Sequence, residues 1–295
     1  MPQGATEVPT AAAVGSQRIP GRAGWLLLAP LVAWVVAFVI APAVIMLVYS
    51  FAHRGTLGGV ILGFTLENYL GVLDPVYMQI VVRSIVYAAI TTGLCLAMGY
   101  PVAYLIGRAD ERWRNLLLMA VMIPFWTSFL IRTYAWVTIL KSQGLLNSLA
   151  LQMDLITEPL EMLYTPGAVV LGLVYTFLPF MILPIYSSVE KLDGALVEAA
   201  LDLGAGPVRA FSRVIVPLTA PGIAAGVLLV FVPSLGIYAV NDILGGGRVD
   251  MIGNIIENQF KGNARNWPFG SALGITLLLA FAVAFWFTGR RRVET

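Results

Sequence analysis

Six apolar runs, each long enough to cross a bilayer as a helix, constrain this chain more than any other feature. They cover residues 25–50, 78–106, 115–140, 167–189, 218–240 and 267–288, approximately. A hydrocarbon core is spanned by about 20 mostly apolar helical residues. In lipid a backbone amide has no water to bond, so a spanning segment must pair its own amides as a helix or belong to a closed barrel. Leu, Ala, Val and Phe recur here with the spacing of long helices, and the alternating pattern of a barrel is absent from the sequence. The expected fold is therefore all-α: a polytopic membrane protein with six transmembrane helices. Composition agrees, since 12% of the 295 residues are charged, about half the fraction usual in soluble domains.

The basic residues orient the spans. Arg18 and Arg22 precede the first; Arg108, Arg112 and Arg114 separate the second from the third; Lys191, Arg209 and Arg213 separate the fourth from the fifth; Arg290, Arg291 and Arg292 end the chain. By the positive-inside rule these segments face the cytoplasm, as do both termini. The opposite segments hold Glu67, Asp74, Asp154, Glu158, Glu161, Asp242, Asp250 and Glu257 against Arg54, Lys141, Arg248, Lys261 and Arg265. That mildly acidic outer face favours approach of a cation or a basic partner surface, or is simply a set of solvated loops.

Residues 1–24 read as a disordered cytoplasmic tail ahead of a first span that acts as an uncleaved signal anchor. Residues 25–289 form the six-helix domain and 290–295 a basic cytoplasmic tail. The lone Cys95 excludes an intrachain disulfide and a thiol metal cluster, and His53 reads as an interfacial residue.

The loop between the fourth and fifth spans, 190–217, carries the densest pattern. Glu198-Ala199-Ala200-Leu201 is compatible with a helix, Gly204-Ala205-Gly206-Pro207 supplies a turn, and Pro207 restarts a helix at the position where no amide donor is lost. Small Ala199 and Ala200 permit close approach of a partner. Glu198, Ala199, Ala200, Gly204 and Pro217 resemble the EAA loop of the membrane subunits of ATP-binding-cassette importers, with Val214 and Val216 standing where that pattern has Ile and Leu. The resemblance implies a type I importer permease fold in which these five residues couple a cytoplasmic ATPase dimer to the spans.

The sequence lacks a Gly-x-x-x-x-Gly-Lys-Ser/Thr phosphate loop, and none of Lys141, Lys191 and Lys261 follows a glycine. Energy from nucleotide must then come from a separate subunit. Gly-x-Ser-x-Gly, His-Glu-x-x-His and close Cys/His clusters are also missing, which argues against a membrane hydrolase. A self-sufficient secondary carrier is a rival reading, but internal repeats and midmembrane ionisable groups are not evident.

Two further stretches bear on solute. Residues 124–136 join Pro124, Trp126, Thr127, Ser128, Arg132, Thr133, Tyr134 and Trp136; residues 233–270 contain Pro233, Gly236, Tyr238, Asn241-Asp242, Gly253-Asn254 and Asn266-Trp267-Pro268. They look like the spermidine/putrescine branch of these importers, a likeness running from about Trp25 to the end. It implies a polyamine as solute, or another small solute of a related permease. Implied partners are a second homologous permease subunit, an extracytoplasmic solute-binding protein and the surrounding membrane lipid; no cofactor and no nucleic acid is implied. Bottom-up, Asp242 beside Tyr238, Trp126 and Tyr134 suits an alkylammonium through charge and cation–π attraction, or forms a helix-end carboxylate in an aromatic belt. Arg132, costly inside a span, is expected to snorkel outward or to pair with a carboxylate.

Overall fold

A computed structural model describes residues 21–56, 58–261 and 265–290. The expected residues 1–20 of the tail and 291–295 of the basic end lie outside the described residues, and 21–24 are helical. Helix α1 (Gly21–Val35) runs through a π turn at Val36–Ile40 into α2 (Ala41–Ser50), and a two-stranded antiparallel ribbon, β1 (His53–Arg54) with β2 (Val60–Ile61), follows. Next come α3 (Glu67–Val72) and the long α4 (Pro75–Arg108), whose start is fixed by Pro75 at the first helical position and by the Asp74 carboxylate accepting from Val76 N at 2.9 Å.

The third expected span is not one helix. Helix α5 (Glu111–Met122) and the 3-10 turn Ile123–Trp126 are bent by 87° from the helical stretch that follows, α6 (Phe129–Leu140) with α7 (Leu145–Gln152). Pro124 supplies no amide hydrogen, and Thr127 and Ser128 are extended, at ψ 151° and 129°. The broken ladder is closed locally, with Thr127 Oγ1 donating to the Pro124 carbonyl at 2.7 Å.

Helix α8 (Pro166–Glu190) is unbroken, and α9 (Gly194–Asp202) lies in the loop that follows. Helix α10 (Pro207–Ala210), a π turn at Phe211–Ile215 and α11 (Val216–Gly236) make one 30-residue span. Both π turns end two residues before a proline, Pro42 or Pro217. A proline ring clashes with the carbonyl four residues back, and widening the preceding turn relieves it without stopping the helix. The fifth span ends at Gly236 and not at Val240: the chain leaves the helix at Ile237, ψ 123°, and re-forms as α12 (Ala239–Gly245) and α13 (Ile252–Lys261). Helix α14 (Trp267–Arg290) is the sixth apolar segment.

Helices α4, α8 and α11 form the centre of the bundle. Their buried faces join Cys95, Ile106, Leu173, Met181, Ile185 and Val230 in one apolar core, while α14 packs with α3 and α13 around Val72, Ile252, Phe269 and Leu273. Helix contact without a hydrophobic driving force relies on close packing, and a Cβ on Gly226 of α11 would stand 2.7 Å from Met181 Sδ of α8. Hydroxyls inside the spans bond to carbonyls one turn back, as Thr92 does to Ala88 at 2.7 Å and Ser234 to Val230 at 2.6 Å. Tyr100 and Thr219, both buried, share a 3.0 Å hydrogen bond between α4 and α11.

Candidate functional site

The elbow at α9 and α10 is built from local chemistry. Asp193 caps α9 by accepting from Ala195 N at 2.9 Å. Its C-terminus closes with two backbone bonds, Ala205 N to Ala200 O at 3.0 Å and Gly204 N to Leu201 O at 2.9 Å. This is a Schellman cap, which requires a left-handed residue after the last helical turn; Gly204 takes φ +81°. The spacing from Ala200 to Gly204 is thus the spacing of the cap. Gly206 has φ −68° and precedes Pro207, whose ring opens α10.

What this elbow offers outward is apolar and polar together. Leu203 and Val208 are 89% and 81% exposed. Glu198, Ala199 and Pro217 are exposed and Ala200 half-buried, and among the described residues Glu198 has no ion-pair partner. Gly204, Pro207, Val208 and Arg209 line one open groove of ≈ 540 Å³. At the base of the elbow Arg114 of α5 donates to Glu190, the last residue of α8, at 3.0 Å.

The second cluster lies at the other end of the same span, about 45 Å away by helical rise. Asn254, 2% exposed on α13, ties the break after α11 together: its amide donates to the Tyr238 carbonyl at 3.2 Å and to the Asp242 carboxylate, and its carbonyl accepts from Asn241 at 3.0 Å and from Met251 N at 3.3 Å. Partial burial raises the Asp242 carboxyl above its ordinary pKa; the Asn254 bond opposes that, while Glu257 and Asp250 add to it and Lys261 opposes it. Tyr238 turns its ring to Lys261, whose ammonium lies 4.9 Å from the ring centroid.

Of the four solute-path candidates, Asp242 and Tyr238 come together, joined by Asp242 N to Tyr238 O at 2.9 Å. Trp126 and Tyr134 are 79% and 59% exposed, and no hydrogen bond or ring contact joins them to that pair. Among the described residues Arg132 meets no carboxylate. Its guanidinium lies between the Phe125 and Tyr175 rings, 5.8 and 5.7 Å from their centroids. Reasoning from sequence passed over Asn254 as an organiser, although its pairing with Asn241 joins two Asn-containing stretches that stand out in a chain so poor in polar residues.

Six apolar helical segments, an exposed capped elbow before the fifth and a polar cluster beyond its far end define a helical membrane permease. Residues 97–290 match the family described as binding-protein-dependent transport system inner membrane component. The chain belongs to that family. It is 45% identical over 253 residues to "Spermidine/putrescine transport system permease protein PotB" of Salmonella typhimurium LT2, covering 86% of this chain and 88% of the relative. It is 44% identical to the protein of the same description in Escherichia coli K12, over 86% and 92%, and 43% identical to that of Haemophilus influenzae, over 88% and 91%. A chain of the bacterial ABC transporter that imports the acidic polysaccharide alginate has the same fold, with a TM-score of 0.70 at 19% identity over 93% of this chain and 97% of that one.

Proposed function

We propose that this chain is the permease subunit of an ATP-driven importer of spermidine- or putrescine-like polyamines, with ATP hydrolysis in a separate ATPase dimer. The observation that carries the reading is identity of 43–45% to spermidine/putrescine permeases along nearly their whole length. The orientation argued from Arg and Lys puts both termini and the elbow in the cytoplasm. There the ATPase meets Glu198, Ala199, Ala200 and Gly204, with exposed Leu203 and Val208 as the apolar contacts. Helix α9 is short and capped at both ends, so it transmits displacement as a lever to the span running through Pro217.

A second, homologous permease subunit completes the path and an extracytoplasmic binding protein delivers the solute. Asp242 and Tyr238 contribute charge and a ring face to the outer part of the route, and Trp126 and Tyr134 of the third span contribute exposed rings of their own. The test is reconstitution of all subunits with the binding protein in liposomes. ATP-dependent accumulation of labelled spermidine or putrescine, reduced at least tenfold by Asp242→Asn, is expected. Accumulation of a different solute and not of polyamines overturns the solute; polyamine uptake untouched by Asp242→Asn removes Asp242 from the route.

A further inference from the structure

The ammonium of Lys261 is already held as a substrate ammonium would be. It lies 4.9 Å from the centroid of the Tyr238 ring, at the hydroxyl end, donates to the Tyr238 hydroxyl at 3.3 Å and pairs with Glu257 at 3.0 Å. The two partners are not equivalent: the Glu257 side chain is 18% exposed and that of Lys261 66%. The carboxylate therefore belongs to a wall, and the ammonium reaches to it from the mouth. Behind them lies a cavity of ≈ 310 Å³ with Gly236, Gly253, Ile256 and Phe260 in its lining, apolar surface suited to a methylene chain. A larger cavity of ≈ 610 Å³, lined also by Gly58, Arg265 and Trp267, shares Phe260 and Lys261 with it, so the lysine stands on the divide between the two.

Charge near this point is mixed: Glu257 and Asp250 act on the Asp242 carboxyl as like charges and Lys261 as an opposite one, and Arg265 lines the neighbouring cavity. Ring, hydroxyl and carboxylate together favour a weakly hydrated alkylammonium over a small metal cation.

We infer that Tyr238 and Glu257 form a primary-ammonium site, that Lys261 fills it as a tethered competitor, and that an incoming linear polyamine enters by displacing the lysine. The inference rests on the polyamine reading above. Its consequence is a site that stays neutralised when no solute is delivered, and that opens only to a ligand bringing its own ammonium.

Binding of labelled putrescine and spermidine to the purified, fully assembled transporter, without the binding protein, tests this. Lys261→Met keeps the apolar stem and removes the competitor, and tightens binding about five- to tenfold, the worth of one ring contact and one helical ion pair. Lys261→Arg stays within about twofold of wild type. Arg265→Gln removes the same charge from the neighbouring cavity without freeing the ring, and also stays within about twofold. Tyr238→Leu in the Lys261→Met background abolishes the gain.

Unchanged or weaker binding by Lys261→Met overturns the inference, as does equal tightening by Arg265→Gln, which would reduce the effect to general electrostatics. Uptake separates this from the function itself. A wild-type transporter that imports polyamines but shows no gain in Lys261→Met sinks only the competitor. One that imports none sinks the polyamine reading, and tightening of propylammonium by Lys261→Met then still supports the ammonium site.

Discussion

Asn254 holds Asp242: the amide of one, on α13, donates to the carboxylate of the other, on α12, and the same amide fastens the carbonyl of Tyr238 at 3.2 Å. A single buried side chain thereby fixes the orientation of both candidate solute contacts where the fifth span ends. Replacing it by alanine strands Met251 N and one N–H of Asn241 Nδ2, which now bond to its carbonyl at 3.3 and 3.0 Å, while the other N–H of that amide keeps the Ile237 carbonyl at 3.1 Å. Stranded buried donors cost about 1–3 kcal/mol each, so Asn254→Ala is expected to destabilise the subunit by about 2–4 kcal/mol. Thermal unfolding of the purified assembly measures this; a shift within error removes Asn254 as organiser.

Asp242 gives a pH signature. Burial raises its folded carboxyl above the usual value, so the protonated form favours the folded state. That contribution is complete below the unfolded pKa, about 3.9, and is lost as pH rises through the folded pKa. At neutral pH the ionised group is therefore a small liability to stability, kept for its charge. Asp242→Asn should raise the melting temperature at pH 7 relative to wild type, lose that advantage toward pH 4, and lower uptake throughout. Melting curves at the two pH values decide it: an advantage that is largest in acid contradicts the raised carboxyl.

Gly253 is a tight point of the same region. A Cβ placed there would stand 2.6 Å from the Gly236 carbonyl oxygen and 2.9 Å from its carbon, both backbone atoms. Neither yields as a flexible side chain does, so α13 must move off the end of α11. Gly253→Ala is expected to cost about 1–3 kcal/mol and to weaken polyamine uptake with it. Gly93 of α4, where a Cβ meets nothing within 4 Å, supplies the control: Gly93→Ala leaves both measurements near wild type.

How much of this was legible in the sequence follows from the range of the forces. The spans were, because a run of about 20 apolar residues has few alternatives in lipid. The elbow was as well, because a Schellman cap is local and Gly204 lies at the one position that needs a positive φ. The 87° bend was not: Pro124 marks a weakness, but the extended Thr127 and Ser128 and the packing of α6 on α12 set the direction. The ring contacts of Arg132 were not legible for a similar reason, since Tyr175, one of its two rings, comes from α8. The Glu257 and Lys261 pair has helical i,i+4 spacing, whereas the Tyr238 contact joins residues 23 apart and exists only because the chain breaks after Gly236.

Arg114 and Glu190 tie the start of α5 to the end of α8 beside the elbow. Both side chains are partly exposed, at 26% and 39%, so the pair is worth less than about 1 kcal/mol. Arg114→Ala and Glu190→Ala are each expected to shift stability by less than that, with a coupling of a few tenths of a kcal/mol in the double-mutant cycle. A coupling above about 2 kcal/mol would mean that the pair is closed off from water in the assembled transporter, as under a docked partner subunit. Measuring the cycle with and without the ATPase subunits distinguishes the two states.

The elbow offers the sharpest contrast, between two glycines two residues apart. Gly204 needs φ +81°, and a Cβ there meets nothing within 4 Å; Gly206, at φ −68°, also faces open space. Any effect of substitution at Gly204 is then backbone strain and not a clash. A left-handed L-residue costs roughly 1–2 kcal/mol, more when β-branched, and relieving it reopens the cap on Ala200 and Leu201. Gly204→Val should leave the subunit in the membrane while abolishing solute-stimulated ATP hydrolysis by the assembled transporter, whereas Gly206→Ala retains most of it. If both variants lose stimulation equally, small size at the surface matters and not the turn. Should Gly204→Val keep full stimulation, the elbow is not the coupling element.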